Sequence, residues 1–172
     1  MNDDAMVPTA AFGWREFRAR PVRGLGISVV LALRFVYGLF YLFAASNKFQ
    51  HDYLFSDYLR GVLIDQLAQI DPEGFGALYL EHFAIPWFRF CAWFITWGET
   101  AVAIGLLLGL GTRWAGALAL WITINIALSG MADASLLVLG LLALLFIVLP
   151  TGHWLGLDRR LHARYPRSLL FR

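Results

Sequence analysis

The sequence predicts an all-α integral membrane protein: a four-transmembrane-helix bundle with both termini cytoplasmic and an amphipathic outer-surface helix between helices one and two. Three observations carry this. The 172-residue chain is 59% hydrophobic and only 15% charged, and its mean hydropathy of +0.63 lies well above that of an ordinary soluble domain. Four long apolar segments approach the ~20 residues that cross a ~30 Å hydrocarbon core. None shows the alternating pattern of a membrane strand, so the backbone amides must be satisfied within helices.

In order, the chain reads as a basic cytoplasmic tail over 1–24, a transmembrane domain over 25–158 and a second basic tail over 159–172. Helix one is expected over about 25–47; its apolar run is too long for a signal-peptide core and carries Arg34 in its middle. Helices two and three follow at about 83–110 and 114–130, and helix four is expected from 134, past Pro150, to about 156. Arginines set the orientation. Arg15, Arg18, Arg20 and Arg23 precede helix one, Arg113 separates helices two and three, and Arg159, Arg160, Arg164, Arg167 and Arg172 follow helix four. The connection over 48–82 is acidic instead, with Asp52, Asp57, Asp65, Asp71, Glu73 and Glu81. An N-in, C-in multi-pass protein of the inner (cytoplasmic) membrane follows.

That connection is too long for a minimal turn. Phe55, Leu59, Val62 and Leu63 recur at near-helical spacing, with Tyr58 and Ile70 beside them, which predicts an amphipathic helix on the surface or capping the bundle. The sequence Asp71-Pro72-Glu73-Gly74 ends it with turn residues.

Ionisable residues inside apolar segments are rare, and they usually face a partner or water. Counting from the expected cytoplasmic ends, Arg34 lies about 15 Å deep and Glu99 and Asn125 about 18 Å deep, at ~1.5 Å per residue. The economical arrangement is an Arg34–Glu99 pair braced by Asn125, and these two charged residues are the candidate catalytic pair. Arg34, Tyr37, Tyr41 and Lys48 share one face of helix one. With Trp121 and Asn125 of helix three, and Arg89 near the outer surface, Tyr37, Tyr41 and Lys48 are the candidate substrate-binding residues.

Other features point to packing. Gly98, Ala101, Gly105 and Gly109 form a small-residue stripe that lets helices approach closely. The single cysteine, Cys91, cannot form an internal disulfide, and reads as a small buried apolar residue. His51, His82, His153 and His162 fall on two sides of the expected membrane, and no two share a helical turn. No metal site, haem site or intrinsic cofactor is therefore expected; His153 reads as an interfacial residue. The lipid bilayer is the expected partner, together with a partner subunit or a second copy of the chain, and nucleic acid is not.

Three stretches carry a resemblance: RFVYGLFYLFAASNKF from Arg34, WGETAVAIGLLLGLGTRWAG from Trp97, and GHWLGLD before Arg159. In this ordered set the chain resembles the DoxX/DoxD family of small four-helix membrane proteins, over about residues 30–160. The long first connection and WITINIALSG look more like the DoxD branch, the small subunit of thiosulfate:quinone oxidoreductase. The resemblance implies a membrane subunit associated with quinone-linked redox chemistry, with thiosulfate oxidised and a freely bound quinone as acceptor. It leaves open whether the chain is itself catalytic. Two other classes stay open: a non-catalytic anchor or assembly partner of a redox enzyme, and transport of a small molecule or lipid.

Overall fold

A computed structural model describes residues 21–166 and residue 168. Nearly all of the 1–24 tail, Arg167 and Arg172 lie outside the described residues. Regular structure among the described residues is entirely helical. Helix α1 spans Pro21–Gln50, α2 Tyr58–Leu67 and α3 Phe75–Tyr79, which continues into a π-helical turn at Leu80–Ala84. Then come α4 (Phe88–Leu108), α5 (Thr112–Leu128), α6 (Ala134–Val148), α7 (Thr151–Trp154) and α8 (Leu157–Arg164).

Local chemistry sets the boundaries. Helix α4 stops at Gly109 and α5 starts after Gly111, both left-handed at φ 63° and 57°, a region that glycine enters without Cβ strain. Asp133 caps α6 by accepting the Leu136 N–H. The fourth long helix does not reach residue 156, as the sequence suggests, but ends at Val148. Pro150 is the cause, because the residue before a proline is pushed out of the helical region, and Leu149 is extended with ψ 135°.

Helix α1 packs chiefly on α4, α4 on α5, and α5 on α6. The circuit closes where the Tyr37 hydroxyl of α1 donates to the Leu139 carbonyl of α6 at 2.8 Å, with the Tyr37 ring against Phe146. Between the helices lies a core of Tyr37, Tyr41, Val102, Leu106, Ala119, Ile122 and Phe146. A second cluster, including Leu59, Leu63, Leu80, Ala84 and Ala92, seats α2 and the π-helical turn on α4. The expected amphipathic helix is therefore a cap on one end of the bundle.

The surface reverses the pattern of a soluble protein. Val29, Val36, Phe43, Leu137, Leu141 and Val148 point outward, while Arg34, Thr96, Glu99, Thr123 and Asp158 are buried. Soluble monomers rarely expose continuous apolar patches of this kind. Helices α1 and α4 are long and apolar enough to cross a membrane, whereas α5 and α6 are apolar but shorter, at 17 and 15 residues.

Candidate functional site

The two buried charges that the sequence pairs with each other are separated, and each has different partners. The stagger of α1 against α4 decides this. A Cβ at Gly38 would lie 3.0 Å from Leu107 and 3.3 Å from Leu106, so Gly38 is level with that turn of α4. Counting along the antiparallel helices, Arg34 then comes level with Leu110, just past the end of α4, and Glu99 comes level with Ala45. Arg34 and Glu99 are thus about 17 Å apart along the bundle, at ~1.5 Å per residue. Helical side chains also lean toward their own N-terminus. Lys48 and Glu99 therefore lean toward each other, and Arg34 leans away.

The Lys48 ammonium donates to both Glu99 carboxylate oxygens at 2.8 Å. Both side chains are mostly buried, and Glu99 sits halfway along α4. An ion pair in this setting is tolerated because each partner supplies the hydrogen bonds that desolvation removes from the other.

This pair lies at the base of a cleft of about 220 Å³ between α1, α4, α5 and the capping connection. Its walls are largely apolar and aromatic: Tyr53, Leu63, Phe83, Phe90, Phe94 and Trp121, with the Cys91 thiol among them. Phe94 packs on Trp121 with ring centroids 4.6 Å apart, and the Lys48 ammonium lies 5.6 Å from the Tyr53 ring centre, within cation–π range. Burial, followed by the nearby Glu99 carboxylate, pushes the Tyr53 phenol up from its ordinary range, so it stays protonated as a donor. On the far wall the Tyr79 hydroxyl donates to the Asn125 side-chain oxygen at 2.8 Å, and the Asn125 amide donates to the Trp121 carbonyl at 2.8 Å. This link ties the capping segment to α5. The cleft is smaller than the ~300–1,000 Å³ of drug-sized sites, so it suits a single planar ring.

Arg34 belongs to the opposite end of the bundle. Its guanidinium donates to the Thr151 carbonyl at 2.7 Å and the Leu155 carbonyl at 2.6 Å, both on the segment broken by Pro150. The Thr151 carbonyl accepts the Leu155 N–H at 3.3 Å as well, so the arginine adds to the short turn after Pro150 and ties it to α1. Asp158 completes the arrangement by accepting from the Gly111 N–H at 2.5 Å and from the Thr112 N–H and hydroxyl at 3.1 Å each. It thereby caps α5, where a carboxylate is favoured by the exposed N–H groups and the helix dipole. Gly109 and Gly156 meet backbone to backbone, since a Cβ on Gly109 would lie 2.6 Å from the Gly156 Cα. The C-terminal segment is thus latched across the α4–α5 turn.

Of the residues predicted from sequence, Glu99, Lys48, Trp121 and Asn125 gather at the cleft. Arg34 does not pair with Glu99, and Asn125 braces neither of them, because its amide and carbonyl are engaged by Trp121 and Tyr79. Tyr37 and Tyr41 do not line the cleft; both are buried in the helix core, where their large rings fill the space among α1, α5 and α6. Arg89 also stands outside it, 71% exposed and loosely paired with Asp57 at 3.7 Å. Cys91 is half-buried in the cleft wall rather than in the core. His153 is buried, with its ring 5.3 Å from that of His162. The described residues contain no group of three metal-ligating side chains. Gly98, Gly105 and Gly109 pack within the bundle, against Ile122, Ala115 and Gly156, while Ala101 faces outward.

Sequence reasoning missed Tyr53, Tyr79 and Asp158. The first two sit on the connection, whose position over the cleft follows from no local pattern. Asp158 lies in GHWLGLD, and the signal for it was two glycines and an aspartate directly after a helix-breaking proline.

An apolar exterior around buried charges held by hydrogen bonds defines a helical membrane protein with an ion pair in an otherwise apolar cleft. Residues 29–154 match the DoxX family model, and the chain belongs to the DoxX family. No curated protein and no solved structure matches it.

Proposed function

We propose that this chain is the quinone-handling subunit of a membrane redox complex, with the quinone head group received in the cleft above Lys48 and Glu99. The observation that carries this reading is the ion pair at the base of an otherwise apolar, aromatic-walled cleft of about 220 Å³. A neutral planar ring bearing carbonyl oxygens matches such a site: aromatic walls hold the ring, and a few fixed polar groups orient it. Phe83, Phe90, Phe94 and Trp121 are partly exposed on the lipid side of the cleft, which supports entry from the bilayer.

Reduction of a quinone to a quinol takes up two electrons and two protons. In this reading Lys48 donates a hydrogen bond to a quinone carbonyl and passes one proton to it, the Glu99 carboxylate takes up a proton from water and hands it to the neutral Lys48 amine, and a second round of the same relay supplies the second proton. The electrons come from a reductant bound by a partner subunit. Among the described residues Lys48 is the one cation in the lining and is neutralised by Glu99, and Arg89 stands apart. Thiosulfate, the donor that the DoxD resemblance implies, would therefore be oxidised on the partner and not in this cleft.

We also propose four spans with both termini on the cytoplasmic side of the inner membrane. The abundance of arginines in the tails and the acidity of the connection support this. Accessibility labelling of cysteines placed in the 51–57 turn and after residue 165 should mark opposite faces.

The test of the cleft is binding of a short-tailed quinone to the purified full chain, read by quenching of tryptophan fluorescence. Glu99→Gln, which releases the Lys48 ammonium from its fixed position, should weaken binding about tenfold, while folded yield falls only slightly. Equal binding in the wild type and the variant would remove the site from the cleft. A second reading, a non-catalytic anchor, draws support from the same pair, because Lys48–Glu99 also clamps α1 to α4. There the substitution should lower folded yield and partner recovery together.

A further inference from the structure

We propose that a pocket at the latch end of the bundle binds the phosphate of an anionic phospholipid. The pocket is independent of the cleft, has a volume of about 530 Å³ and is lined by Arg34, Arg159 and Arg160 together with Phe35, Leu108 and Trp154, among others. Among the described residues no acidic side chain belongs to the lining. Asp158, the nearest carboxylate in sequence, spends its oxygens on the N-terminus of α5. Among the described residues neither Arg159 nor Arg160 makes an ion pair. Arg34 is 1% exposed and uses both terminal nitrogens on carbonyls, and its Nε is buried without a hydrogen-bond partner. Arg159 and Arg160 thus offer two guanidiniums free of ion pairs among the described residues beside the buried charge of Arg34, and phosphate oxygens match their planar forks.

The surroundings select a lipid as the source of that phosphate. Leu108, Leu155 and Leu157 are exposed at the pocket, and Phe35 joins it to the apolar outer face of α1. The pocket is level with the end of α4, where a helix that crosses the hydrocarbon core reaches the headgroup layer. A ligand seated there keeps its charge on the arginines and its acyl chains along the helices, the geometry of basic pockets that take anionic headgroups between transmembrane helices.

The test uses the purified full chain in neutral detergent, with phosphatidylglycerol, phosphatidylcholine or inorganic phosphate added separately. Binding is followed by native mass spectrometry and by the thermal midpoint. Phosphatidylglycerol should bind at least about tenfold tighter than phosphatidylcholine, and Arg159→Gln with Arg160→Gln should lower its affinity about 30-fold. Both arginines are exposed, so the lipid-free thermal midpoint should not move. Arg160→Gln alone should give about a fivefold loss. No preference for the anionic lipid, or a preference that survives the double substitution, would overturn the proposal. So would equal stabilisation by inorganic phosphate at matched concentration, which would assign the pocket to a free anion.

Discussion

Helix α1 carries two cations toward α4, and the structure uses them in opposite ways. Arg34 is buried in a latch whose acceptors are backbone carbonyls and whose neighbouring acid caps another helix. Lys48 faces a carboxylate across a cleft that has room beside it. The first arrangement leaves little freedom, because both carbonyls and the carboxylate are consumed within the fold. The second is a compact pair with an open side. A buried charge is thus a poor guide to function on its own; what matters is whether its partners leave space for something else.

Substitution should separate the two centres, with the largest effect at the latch. Arg34→Met takes the charged donor from the Thr151 and Leu155 carbonyls and removes the positive charge beside Asp158, and should cost about 3–5 kcal/mol, seen as a collapse of folded yield and thermal midpoint in detergent. A full-yield variant would show that the latch is not structural. Gly109→Ala should cost about 2 kcal/mol, since φ 63° disfavours a Cβ and the Gly156 backbone occupies its space, again with quinone binding by the surviving protein intact.

At the cleft the balance should reverse. Glu99→Gln should cost only about 1–2 kcal/mol while quinone affinity falls about tenfold. Pairing Lys48→Met with Glu99→Leu sharpens this further. The double variant should be more stable than either single one, because each single change leaves an unpaired charge and the double leaves none. Additive losses would mean that the two side chains do not act as a pair.

The smallest effect is expected at an exposed acid belonging to neither centre. The Ser135 hydroxyl and the Leu136 N–H hold the Asp133 carboxyl below its ordinary range. A depressed carboxyl contributes stability that is complete above its unfolded value of about 3.9 and is lost as the pH falls through the lower folded value. The thermal midpoint of Asp133→Asn should therefore differ from wild type slightly at neutral pH and converge with it in strong acid. A difference that grows on acidification would contradict this assignment.

Much of the architecture was readable in the sequence because it rests on local quantities. Apolar run lengths placed the long helices, and the spacing of Leu59 and Leu63 marked the buried face of α2. Glu99 stood out because a carboxylate halfway along an apolar helix requires a partner. The choice of partner was not readable, because depth counted from each apolar run assumes that the runs end level. The close approach of Gly38 to Leu106 and Leu107 slides α1 against α4 by about nine residues from the assumed alignment, roughly 14 Å at ~1.5 Å per residue. Tyr37 and Tyr41 were misassigned for a related reason: sharing a face with Lys48 does not place them at the same level.

By itself, then, the sequence determined a helical membrane protein of the DoxX family and the need for a cation near Glu99. Hydropathy and the cost of an unpaired charge act within one segment, so a single chain read in order reveals them, whereas the break at Pro150 emerged only in the fold. Only the tertiary structure decided that Lys48 meets the carboxylate, that Arg34 holds the C-terminal segment, and that the connection closes over the cleft. Those outcomes depend on the axial register between helices, which is fixed by small residues packing against distant parts of the chain.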